Sequence, residues 1–378
     1  MKRRGLAAAC AAGFAFSANY TNHAPMAPLL RAEFGFDNAS AGLLTTAIFL
    51  THGLLQLPGG RLADITGPSR AMVMALGWVA ACNFAIAFAG AYWQLLLWKA
   101  LAGIGTGVCF TAGARYIVAL FAGRELHIAQ GLYGGSIVLG SGFVIFAVPQ
   151  LQSSFGWRGA FLCSALVASA VWIWWMAGAP RPPQKAPPAR SFSEMARSRE
   201  LWLLGFIQMG SFGLVIVVGT WIITLLKTTF QMPLKTAGLV GSAVLLMGIV
   251  SRPLGGWLMR RVGMRTLIMG ALLLNAAACG ALAWGHWFGL TLAAIVALGA
   301  GCGLPYASVF SRAAALFPGR AGAAMGLVNM LGILMILAGA PAVGWLADWT
   351  GQFRSSFLAL GGFTLLAAAA ASAIPEEK

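Results

Sequence analysis

Four basic side chains stand inside long apolar stretches of the sequence: Lys99, Arg115, Arg252 and Arg312. A charge at membrane depth costs about 3 kcal/mol on insertion scales, so it faces a cavity, a partner or a headgroup. Arg252 has the strongest case for a ligand. It lies about eight residues, roughly 12 Å, from the basic end of its stretch, and Pro253 follows it. The alternative is an arginine that snorkels to the inner headgroups. Arg115 is nearer its helix end, where snorkelling, a gate ion pair and ligand contact are equally good readings. Arg312 is close to a helix end, and Lys99 is expected to reach water at the outer end of its span. His52 precedes Gln56 by four residues, so both share one helix face. Tyr20 sits in a polar patch with Asn19, Asn22 and His23. His52 and His23 are each either proton carriers or hydrogen-bonded packing residues. Trp221, Gln208, Tyr306 and Asn329 are further candidates for a cavity wall, against the ordinary alternative of packing.

The acidic residues are informative by position. All nine (Glu33, Asp37, Asp64, Glu125, Glu194, Glu200, Asp348, Glu376 and Glu377) fall in loops, span ends or tails. A proton-driven exporter of cations needs a buried carboxylate, so that function is disfavoured. Six cysteines are scattered singly without ligand spacing, which implies neither disulfides nor a metal. No phosphate-binding loop or nucleophile–base pattern is visible, so neither an enzyme nor a bound cofactor is expected, and an ATP-driven pump within this chain is excluded.

These residues need a scaffold, and composition names it. Of 378 residues, 59% are hydrophobic and 9% charged, far too little charge to cover a soluble protein of this size. Apolar runs of about 20 residues, each long enough for about 30 Å of hydrocarbon, recur along the chain. We place spans at 5–30, 40–62, 69–90, 92–121, 128–151, 156–178, 201–227, 236–259, 263–285, 287–317, 321–346 and 355–374. The first run is too long for a signal peptide and reads as an uncleaved span. Residues 1–178 form one six-helix half and 201–378 the other. The proline-rich stretch from Ala179 and the polar run to Glu200 make a linker over 179–200. The net charge of +16 does not call for nucleic acid, because the basic residues concentrate in alternate loops. Sixteen lie on one side and five on the other, which places both termini in the cytoplasm of a cell (inner) membrane protein.

The halves are related in sequence. A shift of 196 positions lays Gly59, Gly60, Leu62 and Gly67 on Gly255, Gly256, Leu258 and Gly263, and Gln56 on Arg252. The same shift lays Gly105-Thr-Gly on Gly301-Cys-Gly, Gly123-Arg124 on Gly319-Arg320, and Phe161 on Phe357. One constant offset indicates two parallel six-helix repeats about an axis along the membrane normal. Gly60-Arg-Leu-Ala-Asp-Ile-Thr-Gly-Pro-Ser-Arg70 carries a signature of glycines for close helix approach and a tight basic turn.

That segment resembles the loop 2–3 motif of the major facilitator superfamily, with a degenerate copy at Gly256–Arg265. The resemblance extends over essentially the whole chain. It implies an all-α polytopic membrane protein of twelve transmembrane helices in two pseudo-symmetric six-helix halves, acting as a monomer. It also implies that Gly60, Asp64, Gly67, Arg70 and Arg124 belong to a cytoplasmic gate; a loop staple with topology charge is the alternative for Arg70 and Arg124. Ser251-Arg-Pro-Leu-Gly-Gly-Trp-Leu258 is similar to span 8 of the nitrate/nitrite porter branch, where two arginines hold the anion. Arg252 matches one of them, and Gln56 stands at the other position, so the charge of a second arginine is missing.

The expectation is a secondary transporter of a small organic or inorganic anion, working by alternating access in a lipid bilayer. Arg252 and Arg115 supply positive potential; Gln56, His52, Tyr20, Trp221 and Tyr306 complete the substrate site. Protons carried on His52 or His23, anion exchange and facilitated diffusion all remain open as coupling modes. The alternatives are an exporter of neutral or hydrophobic toxic compounds and a non-transporting membrane sensor on the same scaffold.

Overall fold

A computed structural model describes residues 1–121, 123–181, 193–317 and 321–375. Hydrocarbon offers no partner for backbone N–H and C=O groups, which leaves helices or closed barrels as the spanning structures. The described residues form helices and turns with no strand. Nine helical stretches among them are long and apolar enough to cross a membrane, judged by length and composition. The stretch Ala129–Gly178 holds two spans, separated at Gly156 (φ 67°, ψ 178°).

In chain order the spans are Lys2–Thr21; Asn38–Leu54 continued by Gln56–Thr66; Pro68–Ala87; Tyr92–Leu120; and the two arms of Gly123–Gly178. Then follow Arg199–Phe230; Leu234–Leu246 continued by Gly248–Val262; Met264–Ala283; Phe288–Gly303 continued by Tyr306–Leu316; Ala321–Thr350; and Arg354–Ala371. We number these spans 1 to 12. Span 1 is shorter than the sequence implied. It ends at Thr21, and a 3-10 turn, Ala24–Met26, leads into a separate short helix, Ala27–Phe34. Pro25 explains the break, since it lacks the N–H that a continuing helix requires.

The chain divides into two compact units, Met1–Phe36 with Leu44–Ala189, and Asp37–Leu43 with Arg190–Lys378. Most of the expected linker lies outside the described residues. Its end is structured: Ser193–Ala196 is helical, and Met195 is buried with Leu201, Leu204, Ile268, Leu272 and Val328 in the C-terminal core.

In each unit one glycine ladder brings the helices together. On span 4, a Cβ at Gly103 or Gly107 would strike the Ile48 or His52 carbonyl of span 2, and one at Gly105 would lie 2.9 Å from the Ala75 carbonyl of span 3. On span 10, a Cβ at Gly299 would lie 2.7 Å from the Val244 carbonyl, Gly303 meets Ser251 of span 8, and Gly301 meets Asn275 and Ala271 of span 9. Gly103, Gly105 and Gly107 correspond to Gly299, Gly301 and Gly303 under the 196-residue shift. The repeat read from the sequence is therefore a repeat of backbone-to-backbone packing, the way helices associate in membranes.

The motif glycines divide their roles differently from the expectation. Gly59, with Val108 Cα only 3.0 Å from where its Cβ would be, makes the close approach; Gly60 has open space around it. A residue 59 faces span 4 in this helix and residue 60 points 100° away from it. Gly67 (φ 84°, ψ 143°) and Gly263 (φ 81°, ψ 156°) form the two reversals with matching backbone angles. That region is accessible almost only to glycine. Gly67→Ala is expected to destabilise the purified protein by about 1–3 kcal/mol, and Gly60→Ala to leave its thermal unfolding unchanged.

Candidate functional site

In the N-terminal unit the predicted polar residues meet. Gln56 follows the interruption of span 2 at Leu55, and its Nε2 lies 3.2 Å from His52 Nε2. His52 Nδ1 lies 3.0 Å from Thr106 Oγ1, and that hydroxyl donates to the Gly103 carbonyl at 3.1 Å. The network fits a neutral imidazole that accepts at Nε2 and donates from Nδ1. Tyr20 packs edge-on against the imidazole at 5.2 Å, with Phe49 at 5.8 Å and Phe110 at 6.0 Å closing an aromatic cage. Gln56, His52 and Tyr20 are all buried, and Gln56 Oε1 has no hydrogen-bond partner. A buried polar atom without a partner costs about 1–3 kcal/mol, so it marks a place where a further group completes the network.

A second polar cluster lies in the same unit, and it corrects the reading of Lys99. This side chain does not reach water; it is 1% exposed. Its ammonium donates to the Asn19 carbonyl at 2.7 Å and to Asn22 Oδ1 at 2.6 Å. Asn22 donates in turn to Asn83 Oδ1 at 3.2 Å, and His23 Nε2 lies 2.8 Å from Thr45 Oγ1. The cause is the break in span 1. The carbonyls of its last turn have no helical partner, and a cation at a helix C-terminus satisfies them and complements the dipole. Pro25 was the available signal in the sequence, but the pairing of Lys99 with that break needed the fold.

In the C-terminal unit Arg252 and Tyr306 come together. The guanidinium lies over the Tyr306 ring at 4.1 Å, and Tyr306 packs on Phe310 at 4.8 Å. Both residues follow helix interruptions: span 8 breaks at Met247, and span 10 breaks at Leu304-Pro305. A guanidinium over an aromatic face gains cation–π attraction and keeps its full charge. Under the 196-residue shift the Arg252–Tyr306 pair corresponds to Gln56 and Phe110, the residues beside His52. The two polar sites therefore occupy repeat-related positions, one cationic and one neutral.

The other expected residues are placed as follows. Trp221 is buried, and its indole N–H donates to the Ala340 carbonyl at 2.9 Å, with Phe353 against its ring. Its polar hydrogen is thus committed to packing. Arg115 is half-buried near the end of span 4. Arg312 is held by Glu200 at 2.6 Å, which gives it a structural role at the start of span 7. Of the residues expected at a gate, Gly67 forms the turn described above, Gly60 lies within the helix before it and Arg70 is exposed; the side chains of Asp64 and Arg124 lie outside the described residues. At the opposite end of the N-terminal unit, Glu33 accepts from the Trp157 indole at 2.5 Å and from Arg158 at 2.9 Å. The indole hydrogen bond, with the Arg158 charge, holds its carboxyl below the usual range. No group of His, Cys, Asp and Glu able to hold a metal occurs among the described residues.

Lys99→Met is expected to lower the unfolding free energy by about 1–3 kcal/mol, because two buried acceptors lose their donor. Thermal unfolding in detergent, with Lys235→Met as an exposed control, measures this.

Comparison with known proteins agrees with this architecture. The family model described as Major Facilitator Superfamily matches residues 9–287 and 201–378. A probable nitrate/nitrite antiporter, NarK1, of Thermus thermophilus is 26% identical over 366 residues, covering 88% of this chain and 82% of its own. A probable sulfoacetate transporter, SauU, of Cupriavidus necator is 26% identical over 261 residues, covering 64% of this chain and 60% of its own. Among solved structures, a bacterial homologue of the human lysosomal transporter Spinster superposes with a TM-score of 0.79 at 16% identity, over 98% of this chain and 96% of that one. Twelve spans, a 196-residue repeat and the family match converge: the chain is an integral membrane protein that belongs to the Major Facilitator Superfamily.

Proposed function

We propose that the protein is a secondary transporter that carries a small anion across the membrane by alternating access, with both termini in the cytoplasm. The observation that supports this most directly is Arg252, a cation within span 8 held over the Tyr306 ring at 4.1 Å. A guanidinium fixed in this way offers parallel N–H donors to a nitrate, carboxylate or sulfonate. The names of the relatives, nitrate/nitrite and sulfoacetate transporters, point to the same ligand class.

Gln56 and His52 supply the neutral counterpart. A 180° turn of the Gln56 amide would put its NH2 at the now unpartnered position and its oxygen toward His52. The imidazole would then donate from Nε2 and accept at Nδ1 from a Thr106 hydroxyl turned away from the Gly103 carbonyl, so the network can present donors to an anion without a second charge. One arginine and one amide attract an anion less than two arginines do, which suits release as well as capture. Arg115 contributes positive potential, and Tyr20 closes the cage on His52. Trp221 enters as the anchor of span 7. Gly60, Asp64, Gly67, Arg70 and Arg124 form the gate at the cytoplasmic turn.

The test is thermal unfolding of the purified protein with nitrate, nitrite, sulfoacetate and simple dicarboxylates, each against chloride. A recognised anion at a hundred times its Kd stabilises by about 2.7 kcal/mol, and Arg252→Ala is expected to abolish that gain. Equal shifts in wild type and variant, or stabilisation by neutral lipophiles alone, would remove Arg252 from the site and favour an exporter of hydrophobic compounds.

A further inference from the structure

The gate motif has a third copy. Shifted by 284 positions, Gly60-Arg-Leu-Ala-Asp-Ile-Thr-Gly-Pro-Ser-Arg70 falls on Gly344-Trp-Leu-Ala-Asp-Trp-Thr-Gly-Gln-Phe-Arg354. Glycine, leucine, alanine, aspartate, threonine, glycine and arginine recur at identical spacing. This copy ends span 11 and turns at Gly351 (φ 71°), much as the first ends span 2 and turns at Gly67 (φ 84°). Neither the 196-residue repeat nor membrane topology accounts for it, since the internal repeat puts Gln152, an uncharged residue, opposite Asp348.

Its aspartate has a defined target. Asp348 Oδ2 accepts from the backbone N–H of Ala39 at 3.1 Å, and Oδ1 accepts from Asn38 Nδ2 at 2.5 Å. Asn38 and Ala39 are the first two residues of span 2. Asp37 caps the same helix end through the Ser40 N–H at 2.8 Å. Close contact supports the charge: a Cβ on Gly42 would lie 2.7 Å from the Pro341 Cα, and one on Gly344 would strike the Asn38 carbonyl and lie 2.8 Å from the Trp221 ring. The crossing is thus closed by two glycines and held by a carboxylate on a helix N-terminus, where the dipole favours negative charge. Asp348 is itself exposed. The contact belongs to the C-terminal unit, whose members include Asp37–Leu43, whereas Leu44 onward groups with the N-terminal unit.

We propose that Asp348 is a latch residue for span 2, the counterpart of the Gly60–Arg70 gate at the other end of the same span. Span 2 runs from Asn38 to Thr66, about 40 Å at helical rise, so it carries one copy of the motif at its end and docks on another at its start. A carboxylate bound to free N–H groups at an aqueous rim can be exchanged for water, so the contact breaks and re-forms without stranding a buried charge. The latch role rests on the alternating-access reading above; the contact itself does not.

Hydrogen exchange of the full-length protein in lipid nanodiscs separates the two. In Asp348→Ala the amides of residues 39–43 are expected to exchange several-fold faster, with slower exchange over residues 60–70 as the equilibrium shifts toward the state closed at that end. Unchanged exchange at 39–43 would overturn the contact. Faster exchange there with no opposite change at 60–70 would leave a helix cap and overturn the latch, while the anion-binding test stands or falls separately. If Asp348→Ala loosens the whole protein, Asp348→Asn, which keeps an acceptor and removes the charge, is judged by the same two peptides.

Discussion

The structure depends on one constraint, that a chain in hydrocarbon must satisfy its backbone polar groups from within. Continuous helices do so automatically, and every interruption creates carbonyls or N–H groups that need another donor or acceptor. The interruptions here are met by named side chains. Lys99 covers the Asn19 carbonyl where span 1 stops, and Asp348 takes the Ala39 N–H in the first turn of span 2. Thr51 donates across to the Ala100 carbonyl at 2.5 Å, where spans 2 and 4 run close together.

The same constraint explains the common frame of the halves and their different contents. Glycines at corresponding positions of spans 4 and 10 let neighbouring backbones touch, and van der Waals packing of this kind holds membrane helices together. On that frame, the N-terminal unit carries Lys99, His52, Asn83 and Thr106, whereas the corresponding positions of the C-terminal unit are Ile295, Gly248, Cys279 and Cys302. At the position of Gln56 and Arg252 an amide is exchanged for a charge. Duplication fixed the geometry of the helices; divergence of a few interior residues made one unit a hydrogen-bonding network and the other a single stacked cation.

The ring under Arg252 orients the guanidinium without neutralising it, and the network around His52 leaves an acceptor open in an otherwise filled core. Concave sites with a few convergent polar groups are where polar ligands bind. The helices are interrupted at both places, at Leu55 in span 2 and at Leu304-Pro305 in span 10, and broken helices recur in transporters.

The sequence alone determined the membrane class, the spans, the repeat and the identity of Arg252, Tyr306, Gln56, His52 and Tyr20 as candidates. Hydrophobic length, charge asymmetry and a constant offset are properties of the chain that need no three-dimensional partner. Tertiary structure decided which of those residues meet. Lys99 looked able to reach water because it is near a span end, and it is buried because span 1 breaks beside it. Gly60 looked like a packing glycine, but Gly59 has that role, since a single residue turns a helix face by 100°. Trp221 looked able to line a cavity and is committed to the Ala340 carbonyl, and Arg312, near a helix end, is held by Glu200. The contact between Asp348 and Asn38 joins residues 310 positions apart, and no local pattern encodes a pairing at that distance; only the packing of whole helices brings it about.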